Sequence, residues 1–518
     1  RTYDNINIIY RGNVNGYKIR AVSEDDFTAS ITVTGTARNL DNFSADNVIL
    51  YVNMRDVEIG DNQDLKLYIF LIQPLGTGSL GKYFGTDGLR GEANQLLTTD
   101  LALKVGQYLG YRYRGQKIII GKDTRLSSDM LEHALAAGIA SSGADVYLLG
   151  TCATPALAYL ITEKGSKAGV MISASHNPFY DNGLKVFGES GMKSSFDLEL
   201  EIESYIDGTR TIEKANRDVI GNIYDYSDAL EDYILHLEDV VKHDFKGLSI
   251  VLDLANGSAV SSAQRLFEDL QADVILMNQS PNGTNINLDS ESTHIENLQA
   301  RVLEEKADLG FAFDGDADRC LAVDHKGNII DGDKIIYVLS KDMIENNQLK
   351  DHTVVSTVMA NLGFKKSMER ENIHVIQTDV GDKHVFKAMV DGSYQLGGEQ
   401  SGHIILSEYA TTGDGVLTAL RLAEVVSKNN SSLYDLSKDC LEFPQVLQNI
   451  TVRNKKEVMG EPSLLELIEN IEEKLGDAGR ILVRPSGTES LVRVMVEAED
   501  IETCRKYVNE VIEHIEKL

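Results

Sequence analysis

Four short polar loops hold the residues of this chain that could do chemistry. The first, Ser173-Ala174-Ser175-His176-Asn177-Pro178, follows the apolar run 169–172. Pro178 biases Asn177 away from helix, so Ser175 sits on a bend outside any regular element. A serine beside a histidine can be an activated nucleophile; taken alone, such a pair is more often an ordinary polar loop. The second loop, Asp314-Gly315-Asp316-Ala317-Asp318-Arg319, follows the apolar stretch 309–313. Alternate spacing in extended backbone places all three carboxylates on one side. Three anions crowded this way repel unless a cation neutralises them, and hard oxygen ligands suit Mg²⁺. A solvated acidic turn is the plainer reading of the same residues.

The third loop, Gly398-Glu399-Gln400-Ser401-Gly402-His403, offers a carboxylate and a hydroxyl that suit vicinal sugar hydroxyls, and could equally be structural. The fourth, Arg484-Pro485-Ser486-Gly487-Thr488-Glu489, joins a guanidinium to a turn. Its backbone N–H groups and two hydroxyls can point at one oxyanion. An ordinary hairpin turn is the alternative. Basic side chains also stand beside glycines at 85–91, 121–125 and 183–185, near strand ends where α/β folds place ligands. Several other chemistries drop out. No G-x-S-x-G nucleophile elbow occurs. An EF-hand would need Gly at Arg319 and Glu at His325. A haloacid-dehalogenase-type D-x-D phosphatase usually has Thr or Val where Ala317 stands. Gly76 to Gly81 matches G-x-G-x-x-G but leads into more glycines, so the dinucleotide fingerprint fails in context.

Apolar strands alternating with amphipathic helices must position these loops. From about residue 81 the pattern reads strand 117–120, helix 128–141, strand 145–149. It resumes with strand 248–254, helix 261–270 and strand 273–277, and a third unit opens at 354–356 and closes at 375–378. That is α/β architecture with a mostly parallel sheet, in three similar units. The tail reads strand 449–452, helix 463–475, strands 480–483 and 491–497, then a helix from Ile501, an α+β cap. The first 75 or so residues show β-branched clusters at 29–33 and 48–52 and no helical period, which predicts a small all-β module. A chain of 518 residues should divide into roughly three to five domains. The net charge of −30 argues against general nucleic-acid binding and makes local Lys/Arg clusters informative for an anionic substrate. Four scattered cysteines without C-x-x-C fit reduced thiols of the cytosol, and no apolar run reaches the length of a membrane span. The chain opens on Arg1, so what lies upstream is left open.

The ordered set GTDGLRG, SASHNP, DGDADR, GGEQSGH and RPSGTE makes residues 81–518 resemble the α-D-phosphohexomutase family along their whole length, nearest its bacterial glucosamine-phosphate branch. The resemblance implies four domains around a central cleft, at 81–228, 229–336, 337–445 and 446–518, the first three α/β and the last α+β. It implies that Ser175 carries a phosphate, that Asp314, Asp316 and Asp318 bind one Mg²⁺ with a phosphoserine oxygen, and that Arg319, Glu399 and Ser401 read the sugar. Arg484, Ser486, Gly487 and Thr488 match the phosphate-binding loop. Arg90, His176, Lys185 and His403 match residues around the transferring phosphate or in proton transfer. Gln400 favours glucosamine phosphate, because the mannose/glucose phosphate branch usually has Met there. Ala317, Ser290, Glu291 and Ser490 depart from the usual pattern, and none is a reacting group.

The implied activity interconverts glucosamine 6-phosphate and glucosamine 1-phosphate, feeding UDP-N-acetylglucosamine and cell-wall synthesis. Glucosamine 1,6-bisphosphate or a similar diphosphate would be the primer. A glucose/mannose phosphate mutase is the neighbouring reading; a non-catalytic scaffold and a D-x-D phosphatase are readings of other classes. The implied partners are a phosphorylated hexosamine, a second copy in a homodimer, and a membrane diadenylate cyclase encoded nearby; the implied compartment is the cytoplasm. Residues 25–72 resemble more weakly a YbbR domain, often encoded just upstream of such a mutase; within them, 30–35 and 48–57 carry that resemblance. Leu80 stands where free mutases begin with Met, so the module is either a fusion or a read-through.

Overall fold

The structure is a computed structural model that describes residues 2–11, 28–32, 48–53, 67–71, 82–85, 87–290, 294–485 and 491–518. It divides into two compact units, Arg1–Ser79 and Leu80–Leu518. In the first, β1 (Thr2–Arg11), β2 (Thr28–Thr32), β3 (Val48–Asn53) and β4 (Leu67–Leu71) form one sheet in the order β2-β1-β3-β4. The two β-branched clusters of the sequence fall on β2 and β3. The glycine-rich stretch 76–81 lies outside the described residues.

The second unit opens with β5 (Phe84–Gly85) and β6 (Gly88–Glu92). There follow β7 (Lys117–Lys122), β8 (Asp145–Thr151), β9 (Ala168–Ile172), β10 (Asp181–Gly188) and β11 (Ile223–Asp225), which build a sheet of order β11-β8-β7-β9-β10-β6-β5. Next come β12 (Ser249–Asp253), β13 (Asp273–Met277), β14 (Leu309–Phe313), β15 (Cys320–Asp324) and β16 (Ile329–Ile330), in the order β13-β12-β14-β15-β16. A third sheet joins β17 (Thr353–Thr357), β18 (His374–Thr378), β19 (Leu396–Gly398) and β20 (Ile404–Leu406), in the order β18-β17-β19-β20. One plan is used three times. A central strand is flanked on either side by parallel partners, and a fourth strand turns back antiparallel beside the third. The sheets are therefore mixed rather than mostly parallel. The reason is local: the third and fourth strands are joined by a short loop, and only antiparallel strands can be joined that way.

Helices on the faces bury the apolar runs that betray the central strands. Ile118, Ile119, Ile120, Val354 and Val355 are fully buried, as strands covered on both faces require. The helix starts are capped by the side chains of Thr98, Ser195, Asp331, Asn361, Asp414 and Asp500. The tail forms β21 (Gln445–Thr451), β22 (Gly479–Pro485) and β23 (Leu491–Ala498), antiparallel in the order β21-β23-β22, under the helices Pro462–Leu475 and Ile501–Ile515. Buried Glu497 and half-buried Arg480 tie this layer to the third sheet. Arg480 donates to the carbonyls of Val358 (2.8 Å) and Ala360 (2.6 Å), and Glu497 accepts from Leu362 N–H (2.9 Å). The four cysteines are buried free thiols.

The plan decides where the polar loops fall. Residues 173–180 join β9 to β10, 314–319 join β14 to β15, and 399–403 join β19 to β20. Each is the turn between the third and fourth strand of its sheet. Residues 486–490, which join β22 to β23, lie outside the described residues, and with them the sequence-predicted Ser486, Gly487 and Thr488.

Candidate active site

Ser175 is held in a left-handed backbone conformation (φ +52°), an uncommon one for a residue with a Cβ. The surroundings enforce it. Its N–H donates to Ser173 Oγ (3.0 Å), and its carbonyl accepts from Arg125 Nη2 (2.7 Å) and Asn287 Nδ2 (2.8 Å). Arg125 is fixed by Asp123 (2.8 Å), which also accepts from Ser128 (2.9 Å) and Ser173 (2.6 Å). The serine hydroxyl is thereby aimed across to the second sheet, where it donates to Asp314 Oδ2 at 2.6 Å. His176 Nδ1 lies 3.4 Å from the same hydroxyl. Burial, then the nearby Arg319 and Arg90, push its pKa down to about 4, so its ring is neutral at pH 7. Arg90 pairs with Asp87 and reaches Asn177 Oδ1 at 3.4 Å.

Asp314, Asp316 and Asp318 converge as the sequence predicts, but not by strand alternation. The loop is a turn, closed by Ala317 N–H on the Asp314 carbonyl (3.0 Å), with Ala317 at φ +55°. Carboxylate oxygens, one from each, lie within 4.8 Å of one another, and all three residues are buried. Burial, then Asp318 and Asp316, hold the Asp314 pKa well above the usual carboxylate range. Lys185, on β10, supplies the compensating charge at 2.6 Å from Asp316 and 3.4 Å from Asp318. It lies 3.3 Å from Asp87 as well. Burial alone would neutralise its ammonium, but these three carboxylates outweigh it and raise its pKa. Thr154 donates to Asp316. One oxygen of Asp316 and one of Asp318 are buried without a hydrogen bond. A cluster of hard oxygen donors with uncommitted lone pairs fits a small divalent cation.

His403 and Glu399 approach from the third sheet. His403 lies 3.8 Å from Asp318 and 3.8 Å from Asp382, and Gly413 N–H donates to its Nε2 (3.0 Å). In the neutral ring that bond leaves the proton on Nδ1, the nitrogen facing Asp318. Glu399 accepts from Gly381 N–H (3.1 Å), Gln400 donates to Asp331 (3.1 Å), and Ser401 is exposed. Arg319, beside the triad, donates its N–H to Asp314 Oδ1 (3.2 Å). Arg484 lies on β22 directly opposite Arg493 on β23. Burial and then Arg493 push its pKa down, a repulsion that an anion at the adjoining turn would relieve.

Known proteins match along the whole second unit. The model for phosphoglucomutase/phosphomannomutase alpha/beta/alpha domain I matches residues 81–213, domain II residues 225–327, domain III residues 331–443, and the C-terminal domain residues 447–514. A phosphoglucosamine mutase from Lachnoclostridium phytofermentans is 49% identical over 437 residues, 84% of this chain and 98% of its own. One from Oceanobacillus iheyensis is 47% identical over 442 residues, 85% of this chain and 99% of its own. The chain belongs to the phosphoglucomutase/phosphomannomutase family. Solved structures share its fold. A Burkholderia thailandensis family protein superposes with TM-score 0.70 at 22% identity, covering 84% of this chain and 97% of that one. An Aspergillus fumigatus N-acetylphosphoglucosamine mutase, in complex with GlcNAc-6P and magnesium, gives 0.61 at 18%, covering 84% and 95%.

The phosphohexomutase fold thus brings Ser175, His176, Lys185, Arg90, Arg319, the three aspartates and His403 into one linked network. Several of its members escaped sequence reasoning. Asn287, Asp382 and Lys193 join it only through tertiary contacts; Lys193 pairs with Asp87 and lies 2.5 Å from Asp382. Arg125 stands in a glycine-flanked basic stretch of the sequence, but nothing local shows that it supports the serine.

Proposed function

We propose that residues 81–518 form a phosphoglucosamine mutase that works through a phosphate on Ser175. The carrying observation is the Ser175 hydroxyl at 2.6 Å from Asp314, in a buried triad with unused carboxylate oxygens. The near-full-length relatives at 47–49% identity support glucosamine phosphate as substrate. In the forward half-reaction the bond between Ser175 Oγ and phosphorus breaks, and a bond forms from that phosphorus to the free O1 or O6 of the bound sugar. The sugar hydroxyl gives its proton to the protein, through Lys185 or His403, and the departing Ser175 Oγ takes one up; Lys185, held as an ammonium by three carboxylates, can accept only after giving up a proton of its own. The bisphosphate turns over, the Ser175 hydroxyl gives up its proton as Oγ attacks the other phosphate, the bond from that phosphorus to the sugar breaks, and the released sugar oxygen takes up a proton. Arg90 and Arg319 hold the transferring group in line, work that is mainly positioning and charge stabilisation. Arg484, with Ser486, Gly487 and Thr488, grips the phosphate that is not reacting. Glu399 and Ser401 grip the sugar hydroxyls. Asp314, Asp316 and Asp318 would hold Mg²⁺, which when bound would neutralise charge on the transferring phosphoryl group.

The same reading places the domain boundaries at 228/229, 336/337 and 445/446, the enzyme in the cytoplasm, and a YbbR-like module at 1–78. A homodimer and a diadenylate cyclase partner belong to it as well. No helix among the described residues is long and apolar enough to cross a membrane. Ser175→Ala should abolish mutase turnover and remove a single phosphate from the intact mass. Near-normal turnover in that variant would end the proposal. Assay against glucosamine, glucose and mannose 6-phosphates separates it from the phosphomannomutase/phosphoglucomutase reading.

A further inference from the structure

We infer that Asn287 is a positioning residue for the nucleophile, acting solely through the two hydrogen atoms of its amide. The inference rests on the proposed role of Ser175. Asn287 belongs to the chain segment between β13 and β14, and so to the second sheet's unit. It crosses to the first, where Nδ2 donates to the carbonyls of Ser175 (2.8 Å) and Asn177 (3.0 Å). It thus holds both sides of the Ser175–Asn177 turn. Its own backbone is in the left-handed region (φ +60°), which Asn tolerates better than most residues, and its N–H is anchored on Ala255 O (2.9 Å).

The orientation of the amide is dictated. Turned over, Oδ1 would face two carbonyl oxygens. As placed, Oδ1 is buried with no hydrogen bond, and it lines the space where a Cβ on Gly315 would fall, at 3.0 Å. A side chain that leaves one polar atom unsatisfied in order to donate twice is held there by the two bonds it makes. Those bonds fix the segment that carries the strained serine. They also bind it to the unit that carries Asp314, Asp316 and Asp318. The distance from Ser175 Oγ to the triad therefore depends on Asn287, although Asn287 touches no reacting atom.

The test compares Asn287→Asp with Asn287→Ala in the full chain, with Mg²⁺ and glucosamine 6-phosphate. Asp preserves size and backbone preference but replaces the donor by an oxygen facing two carbonyls. A packing role predicts that Asp is the milder change. The donor role predicts the reverse: kcat lower by about tenfold in the Ala variant and by about a hundredfold or more in the Asp variant. KM should stay within about twofold in both, because sugar-binding groups are untouched. The Ser175 phosphate, followed by intact mass, should also be lost to water faster in Asp than in Ala. Asn287→Gly, which suits φ +60°, replaces the Asp variant as the second readout should that protein fail to fold; it should match Ala in both kcat and KM. An Asp variant as active as wild type, or effects confined to KM, would overturn the inference. A wild type with no turnover on any of the three hexose phosphates would instead overturn the reading of Ser175.

Discussion

Replacing Lys185 by Met should cost far more stability without a divalent cation than with one. The side chain is 1% exposed, and its ammonium is the sole cation within 3.5 Å of Asp316 among the described ion pairs. Asp87, its partner outside the triad, keeps Arg90 and Lys193. The loss therefore falls on the triad, where Asp316 is left with the Thr154 hydroxyl. Removing one partner of a buried ion pair typically costs about 3–5 kcal/mol, because the remaining charge is stranded. A cation bound by the three carboxylates would restore the missing charge. At a hundred times its dissociation constant a ligand adds about 2.7 kcal/mol. The variant should gain more than wild type, since no ammonium competes for Asp316. The chain has no tryptophan. Calorimetry or far-UV circular dichroism, scanned in EDTA and at rising Mg²⁺, is therefore the assay. The expected result is a lower Tm in EDTA, a cation-induced rise larger than in wild type, and a loss of turnover of about 10²-fold or more. A variant as stable as wild type in EDTA, or one with the smaller cation response, would refute the argument that Lys185 is the triad's stand-in charge.

Gly315→Ala should lower kcat by about tenfold or more with the fold intact, because the new Cβ would lie 2.5 Å from the Ser175 carbonyl and push the serine loop off the triad; steady-state kinetics beside a thermal melt checks it. Asp414→Asn should flatten part of the pH dependence of stability. Burial raises the Asp414 pKa to about 6, above an ordinary value of about 4. The folded state thus holds this proton to higher pH, and up to about 3 kcal/mol is lost as pH rises from about 4 to about 6. An amide keeps the cap on Leu417 N–H (2.8 Å) and a partner for Tyr233 (2.9 Å). The variant's Tm advantage over wild type should therefore grow across that interval and level off above it; a constant difference would refute it.

Much of the fold is legible in the chain because the strands that matter are buried on both faces. A continuous apolar run such as Ile118–Ile120, followed by a glycine and a charged turn, has few other readings. The polar loops are legible for the complementary reason: each could be an ordinary turn by itself, but four such loops in order after apolar strands carry one chemistry together. Handedness and pairing were less accessible. Three carboxylates at alternate positions suggest an extended strand, whereas the backbone reverses through Ala317 at φ +55° and reaches the same convergence by a turn. Asn287, Lys193 and Asp382 carry no local signal, because each acquires meaning only from a partner far away in sequence. Periodicity reports which face is buried; it is silent on which distant side chain will cross to a carbonyl.

The interactions are graded across the molecule in the way a two-step transfer needs. The segments that carry the serine loop and the aspartate loop are joined by close contacts of several kinds. These are Ser175 on Asp314, Thr154 on Asp316, Asn287 on two carbonyls, and backbone so near that a Cβ on Gly315 would strike Ser175 O. Donor and triad must keep one geometry for both transfers, and such packing has no slack. The sugar loop is interlocked with the end of the aspartate loop as closely: Cys320 N–H donates to the Gly402 carbonyl (3.0 Å), a Cβ on Gly402 would strike Cys320 O, and His403 stands near Asp318. The tail is attached differently: its apolar residues form a core of their own, and Arg480 and Glu497 tie it to the third sheet by hydrogen bonds. A sugar bisphosphate that must present first one phosphate and then the other needs a fixed donor and a grip that yields. The order of rigidity in the contacts, from the loops of the three α/β sheets to the tail, runs in that direction.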